Sequence, residues 1–217
     1  MPSKFRLRYM FKPIVKVIAK GLSKIGVSAN LATVLMLSFS IFSFIGLLLF
    51  QNLLIFGILV FFTGILDGVD GSIARINETA SSWGGFFDSV MDRISEFIIF
   101  LALILYSWNQ LLWNLIDMKL IIIVTFIFSF IISYSRARAE IIHKGDFDIG
   151  LMARSERLFY IFLSGIIAFF WNFFNELLFL FMWLVIATAL FRFFRIKKEL
   201  DIFSEKKKLE KQSQNKE

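Results

Sequence analysis

The chain has 217 residues, 58% hydrophobic and only 19% charged, with a net charge of +7 and a mean hydropathy of +0.73. Soluble domains carry about a quarter charged residues, so this composition excludes one, while the dominance of apolar residues over two prolines and 12 glycines excludes disorder and collagen-like repeats. With no cysteine there is no disulfide, thiolate nucleophile or cysteine-based metal site, and the class that remains is an all-α integral membrane protein.

Residues 1–24 carry Lys4, Arg6, Arg8, Lys12, Lys16, Lys20 and Lys24 with no acid among them. Phe5, Leu7, Met10, Phe11, Ile14, Val15, Val17 and Ile18 recur near helical spacing, and Lys12, Lys16 and Lys20 step by four along another face. That pattern predicts an amphipathic helix lying at the membrane interface; an irregular basic arm is the alternative. From Ile25 to Leu66 no residue is charged, a stretch twice the roughly 20 residues one spanning helix needs. It therefore holds two spans, with the break at the polar pair Gln51-Asn52. Four further spans are predicted over Phe86–Tyr106, Met118–Tyr134, Leu158–Phe174 and Leu177–Arg195. The organisation expected is a basic helix over 1–24, a six-helix membrane domain over 25–197 and a charged, solvated tail over 198–217. A cleaved signal peptide is not expected, because the first apolar stretch is too long for one.

Six crossings put both termini on one side. Of the 24 basic residues, only Lys119 falls in a loop on the other side. The positive-inside rule then places both termini, and the loops after the second and fourth spans, in the cytoplasm of a cell-membrane protein. Because the basic residues flank spans, anionic lipid headgroups explain the charge better than nucleic acid does, and no nucleic-acid partner is expected.

Charge at a membrane helix is costly and marks a pathway or a site. Here it is concentrated in Asp67, Asp70, Arg75, Asp88, Asp92, Arg93 and Glu96. Asp67 and Asp70 share a face at the end of the second span. Gly84, Asp88 and Asp92 step by four near the start of the third. Both helix ends meet at the cytoplasmic boundary, so four carboxylates can converge. Two divalent cations would offset their mutual repulsion, and hard oxygen ligands suit Mg²⁺ or Mn²⁺. Paired metals can clamp the attacking and leaving oxygens at phosphorus. Helix capping and ion pairing, as in Asp70 with Arg75 or Asp88 with Arg93, is the alternative for any one aspartate but a poor account of all four. The only histidine, His143, is assigned no role.

Asp67-x-x-Asp70-Gly71-x-x-Ala74-Arg75, eight residues, then Gly84-x-x-x-Asp88-x-x-x-Asp92 resembles the signature of the CDP-alcohol phosphotransferase (phosphatidyltransferase) family. The resemblance implies transfer of a substituted phosphate from a CDP-linked donor to an alcohol, with release of CMP and divalent metal as cofactor. It implies Asp67, Asp70, Asp88 and Asp92 as metal ligands and Asp92 as the general base. It also implies Gly71 and Arg75 at the donor diphosphate, and Gly84 as a close-packing point between the second and third spans. Family contacts to the CDP group map to Ser81, with Ser82 as its neighbouring candidate, and to Asn30 and Thr33. Asn30 could equally be only the helix N-cap of the first span, and Ala29 stands where the family usually has proline. Dimers are common in the family, although this sequence does not address that.

The acceptor must be met by the other cytoplasmic loop, which reads Ser133-Tyr134-Ser135-Arg136-Ala137-Arg138-Ala139-Glu140, then Ala153-Arg154-Ser155-Glu156-Arg157. Arg136, Arg138, Arg154 and Arg157, with Arg192 on the sixth span, form a basic constellation suited to binding phosphate bidentately. Ordinary positive-inside anchoring, with Glu140 and Glu156 as partners, is the competing reading. The pattern resembles the branch making phosphatidylinositol phosphate or archaetidylinositol phosphate, which implies a CDP-linked diradylglycerol donor and inositol 1-phosphate as the phosphorylated polyol acceptor. Phe191 departs from that branch, where glutamine is common. Phosphatidylglycerophosphate synthesis is the close rival, and phosphatidylserine synthesis would need fewer cations. A cation transporter is the alternative from a different class, but its site would be expected near the midplane on repeated, interrupted helices.

Overall fold

A computed structural model describes residues 7–214 apart from 144, 146 and 148, with side chains placed from 10 to 205. Seven helices account for nearly all of it: α1 Leu7–Lys24, α2 Ala29–Phe50, α3 Leu53–Ile76, α4 Ser82–Tyr106, α5 Met118–Ile142, α6 Arg154–Phe170 and α7 Phe174–Gln214. A two-stranded antiparallel hairpin, β1 Leu111–Leu112 and β2 Ile116–Asp117, closes the turn between α4 and α5.

The helix boundaries follow from polar residues at the expected places. Gln51 adopts a left-handed conformation (φ 49°) that ends α2. Asn52 then caps α3, its side chain accepting from the Leu54 and Ile55 amides at 3.0 and 3.1 Å. Ser28, not Asn30, is the N-cap of α2, accepting from the Leu31 amide at 3.2 Å; Asn30 lies inside the first turn. Ser81 caps α4 through the Gly84 amide at 3.0 Å.

Among the described residues four helices, α2, α3, α5 and α7, are long and apolar enough to cross a membrane, which makes this an integral membrane protein. The other two expected spans differ in kind. α4 carries Asp88, Asp92, Arg93 and Glu96 among its apolar residues, and α6 is only 17 residues long. α5 runs eight residues past the expected end at Tyr134, carrying the Arg136–Glu140 segment as helix. α7 likewise continues beyond Arg195 to Gln214, so most of the 198–217 segment is helical; an Arg195–Glu199 pair one turn apart (3.4 Å) supports the extension.

α2 packs along both α3 and α4, α3 along α1 and α6, and α5 along α4 and α7. The sequence neighbours α3 and α4 hardly touch, so their polar ends face one another across a gap. α3 and α6 cross at two glycines: a Cβ on Gly165 would stand 2.6 Å from the Leu53 carbonyl oxygen, and one on Gly57 3.0 Å from that of Phe162. Gly84, expected at the approach of the second and third spans, instead faces the first, α2: the atoms around it are Ser81 Oγ and Asn30 Oδ1. It is a capping-turn residue of α4. α1 buries Val15, Ile18, Ala19 and Leu22 against Ala32 and Met36 of α2 and Leu66, Val69 and Ile73 of α3. Its Met10, Ile14 and Val17 point outward and stay exposed. The apolar residues of α1 thus form one continuous arc, partly packed on the bundle and partly exposed, with Lys12, Lys16 and Lys20 on the remaining side.

Candidate active site

The last turns of α3 and the first turns of α4 open into a cavity of about 930 Å³, walled also by α1, α5, α6 and Arg192 of α7. Asp67, Asp88 and Asp92 line it, each presenting a carboxylate oxygen within 4.8 Å of the other two. The fourth aspartate is held differently. Asp70 is buried at 4% exposure, accepting from the Thr33 hydroxyl at 2.8 Å and from the Gly71 amide at 2.5 Å, and it faces Asp88 from behind the cavity wall.

These carboxylates fit a divalent cation. The donor set is entirely hard oxygen, and one Asp88 oxygen is buried with no hydrogen-bond partner, an arrangement that is costly unless a ligand completes it. Arg154, the first residue of α6, reaches into the same cluster. One of its guanidinium nitrogens donates to both Asp67 and Asp92, and the other donates to Ser95 Oγ at 2.6 Å. A full positive charge thus stands among three carboxylates that would otherwise repel. Sequence reasoning grouped Arg154 with the acceptor arginines; in the structure it touches the acidic cluster.

The other four arginines separate by environment. Arg157 is wholly buried and clasps Glu96 of α4 through two parallel bonds of 2.7 and 2.9 Å. Its remaining contacts are the Met152 carbonyl at 2.9 Å and Ser133 Oγ at 3.2 Å. Arg192 donates to the carbonyls of Ile149 and Ile132 at 2.8 and 2.9 Å. Both buried arginines therefore fasten the α5–α6 connection, where Gly150 (φ +106°) rests against Thr188 of α7. Arg136, paired with Glu140 at 2.8 Å, lines the cavity, whereas Arg138 is exposed and outside its lining.

On the donor side, Arg75 is exposed over Gly71, whose missing side chain leaves its backbone open apart from that guanidinium at 3.5 Å. Thr33 is turned to Asp70, Ser81 caps α4, and Asn30 is exposed beside Gly84. Sequence reasoning missed Glu96 as the partner of Arg157 and Ser95 as a contact of Arg154. Their spacing of three and four from Asp92 puts them on its face of α4, the signal that could have found them.

The CDP-alcohol phosphatidyltransferase family profile matches residues 27–191. This chain belongs to that family. Among its relatives, the archaetidylinositol phosphate synthase of Pyrococcus horikoshii is 30% identical over 161 residues, covering 74% of this chain and 81% of the relative. The phosphatidylinositol phosphate synthase of Mycobacterium tuberculosis is 30% identical over 157 residues, covering 71% and 70%. Crystal structures of a Mycobacterium tuberculosis phosphatidylinositol phosphate synthase share the fold of this family member at 24% identity. The form with CDP-DAG bound aligns with TM-score 0.72, covering 85% of this chain and 94% of that one. The complex with manganese and citrate aligns at 0.73, covering 84% and 88%.

Proposed function

We propose that the protein transfers the phospholipid moiety of a CDP-linked diradylglycerol to inositol 1-phosphate and releases CMP. The observation carrying this reading is that one cavity is lined by both the aspartate trio and arginines from α5, α6 and α7. A diphosphate donor and a phosphorylated acceptor can meet there. The names of the relatives in Pyrococcus horikoshii and Mycobacterium tuberculosis support the same acceptor class.

Asp67, Asp70, Asp88 and Asp92 would hold divalent metal, Mg²⁺ or Mn²⁺, as two ions. Bound there, the metal supplies charge neutralisation at the donor diphosphate. Asp92 takes the proton from the acceptor hydroxyl as that oxygen attacks the lipid-side phosphorus. The bond from this phosphorus to the CMP oxygen breaks, and CMP leaves. Thr33 fixes the Asp70 carboxylate, and Arg75 neutralises diphosphate charge over the open backbone at Gly71. Asn30 and Ser81, at neighbouring ends of α2 and α4, border the space for the cytidine. Arg136 offsets the acceptor's phosphate, with Arg138 at the approach to it, while Arg154 balances the charge of Asp67 and Asp92 and Arg157 and Arg192 shape that wall.

The same reading makes α4 and α6 the two additional spans. Their 25 and 17 residues extend about 37 and 26 Å at 1.5 Å per residue, against a hydrocarbon core about 30 Å thick. With α1 lying at the interface, six spans leave both termini and the cavity on the cytoplasmic side, which the basic flanks favour. Asp92→Asn should abolish CMP release from a CDP-linked lipid in detergent with Mg²⁺ while the protein stays folded. Undiminished release would remove the general-base assignment.

A further inference from the structure

The cations lining the cavity differ in how far their charge is already used. Arg93 meets Asp92 at 3.4 Å, Arg136 meets Glu140, Arg154 meets Asp67 and Asp92, and Arg157 meets Glu96. Arg192 is tied to two backbone carbonyls. Lys12, Lys16 and Arg75 also line the cavity, and among the described residues none of the three has a carboxylate within ion-pair distance. Two of the three come from α1, outside the family signature.

Their placement follows from the geometry of α1. At 100° per residue, Phe11, Val15, Ile18, Ala19 and Leu22 form the face packed on α2, α3 and α6. Val15 sits on Gly68, where a Cβ would lie 3.4 Å from its methyl carbon, and so brings α1 beside Asp67. Lys12 and Lys16 flank this face on the cavity side. The exposed Met10, Ile14 and Val17 flank it on the other, where lipid can cover them. One helix thus presents an apolar flank outward and a lysine pair to the mouth of the site.

We propose that Lys12 and Lys16 are substrate-binding residues: with Arg75 they form an anion subsite at the α1–α3 wall that holds a phosphate ester entering the cavity. This rests on the transferase reading above. The ligand chemistry is a phosphate ester, and its two sources are the donor diphosphate and the acceptor phosphate. The lysines attract by charge at the cavity edge, while the reacting geometry belongs to the aspartates, so they act on KM rather than kcat.

The test compares Lys12→Gln/Lys16→Gln with Lys20→Gln/Lys24→Gln, which removes the same charge from α1 outside the cavity lining. Both are assayed in neutral detergent for CMP release against each substrate, with direct binding of the CDP-linked lipid measured alongside. Hydrogen bonds to charged groups predict a KM about tenfold higher for one substrate in the Lys12/Lys16 variant. The kcat should be nearly unchanged, the Lys20/Lys24 variant should match wild type, and Lys12→Arg/Lys16→Arg should restore KM. A rise in donor KM, with weaker lipid binding, identifies the donor diphosphate; a rise in acceptor KM identifies the acceptor phosphate. Unchanged KM values and lipid binding, or equal effects in the two double variants, would overturn the proposal. Absence of turnover in the wild type would instead count against the transferase reading, and the lipid-binding comparison would still decide the lysines as a donor site.

Discussion

Replacing either member of the buried Arg157–Glu96 pair tests whether Arg157 is a structural clasp or a phosphate ligand. The Arg157 side chain is 0% exposed and that of Glu96 5%, and four hydrogen bonds tie Arg157 to α4, α5 and the α5–α6 connection. Glu96→Ala leaves a buried guanidinium with no counter-charge, which costs about 3–5 kcal/mol. Arg157→Lys keeps the charge but cannot reproduce the two parallel bonds, and the loss of one charged hydrogen bond costs roughly 1.5–3 kcal/mol. Glu96→Leu/Arg157→Met removes both charges and should be less damaging than Glu96→Ala alone. Equilibrium unfolding in mixed detergent micelles measures all three, with acceptor KM determined on the folded protein. The clasp predicts a double variant more stable than Glu96→Ala and a nearly unchanged acceptor KM in Arg157→Lys. A double variant no more stable than Glu96→Ala, or a stable Arg157→Lys protein with a raised acceptor KM, would refute it.

Thr33→Val keeps the shape of the side chain but removes the donor to Asp70; Mn²⁺ binding, followed by electron paramagnetic resonance, should weaken about tenfold. Gly165→Ala places a methyl 2.6 Å from the Leu53 carbonyl oxygen and should destabilise the α3–α6 crossing by about 1–3 kcal/mol, seen as a lower midpoint in the same unfolding assay. Gly150→Ala forces a left-handed backbone on alanine and drives its Cβ to 2.7 Å from Thr188 Cγ2. It should speed proteolysis or hydrogen exchange of the 143–153 connection before the bundle unfolds. Chelation with EDTA should abolish CMP release, and Mn²⁺ or Mg²⁺ should restore it.

The acidic half of the site was legible because its residues are close in sequence and their helical spacing is fixed. Asp67, Asp70, Asp88 and Asp92 could be placed at facing helix ends from numbers alone, and Gln51-Asn52 marked the break between α2 and α3. Asp70's turn toward Thr33 was not legible, since it depends on how α2 packs against α3. The arginines were legible as a set but not in their division of labour. Arg157 and Arg192 are chemically the same as Arg136, and only the positions of Glu96, Ile132, Ile149 and Met152 around them decide which are enclosed. Gly57 and Gly165 were missed because they lie far apart in sequence, on helices whose pairing no local pattern records. The continuation of α5 and α7 past their apolar stretches was hidden for a different reason: apolar length marks what a membrane can cover, and charged residues continue a helix equally well.

The central claim is that a phosphorylated polyol receives the lipid at this cavity. Its most direct test is CMP release by the purified protein from a CDP-linked lipid with Mg²⁺, measured separately with inositol 1-phosphate, free inositol, glycerol 3-phosphate and serine. The arginine-lined wall predicts turnover with inositol 1-phosphate above all others and none with free inositol or serine. Turnover with serine alone would contradict the account.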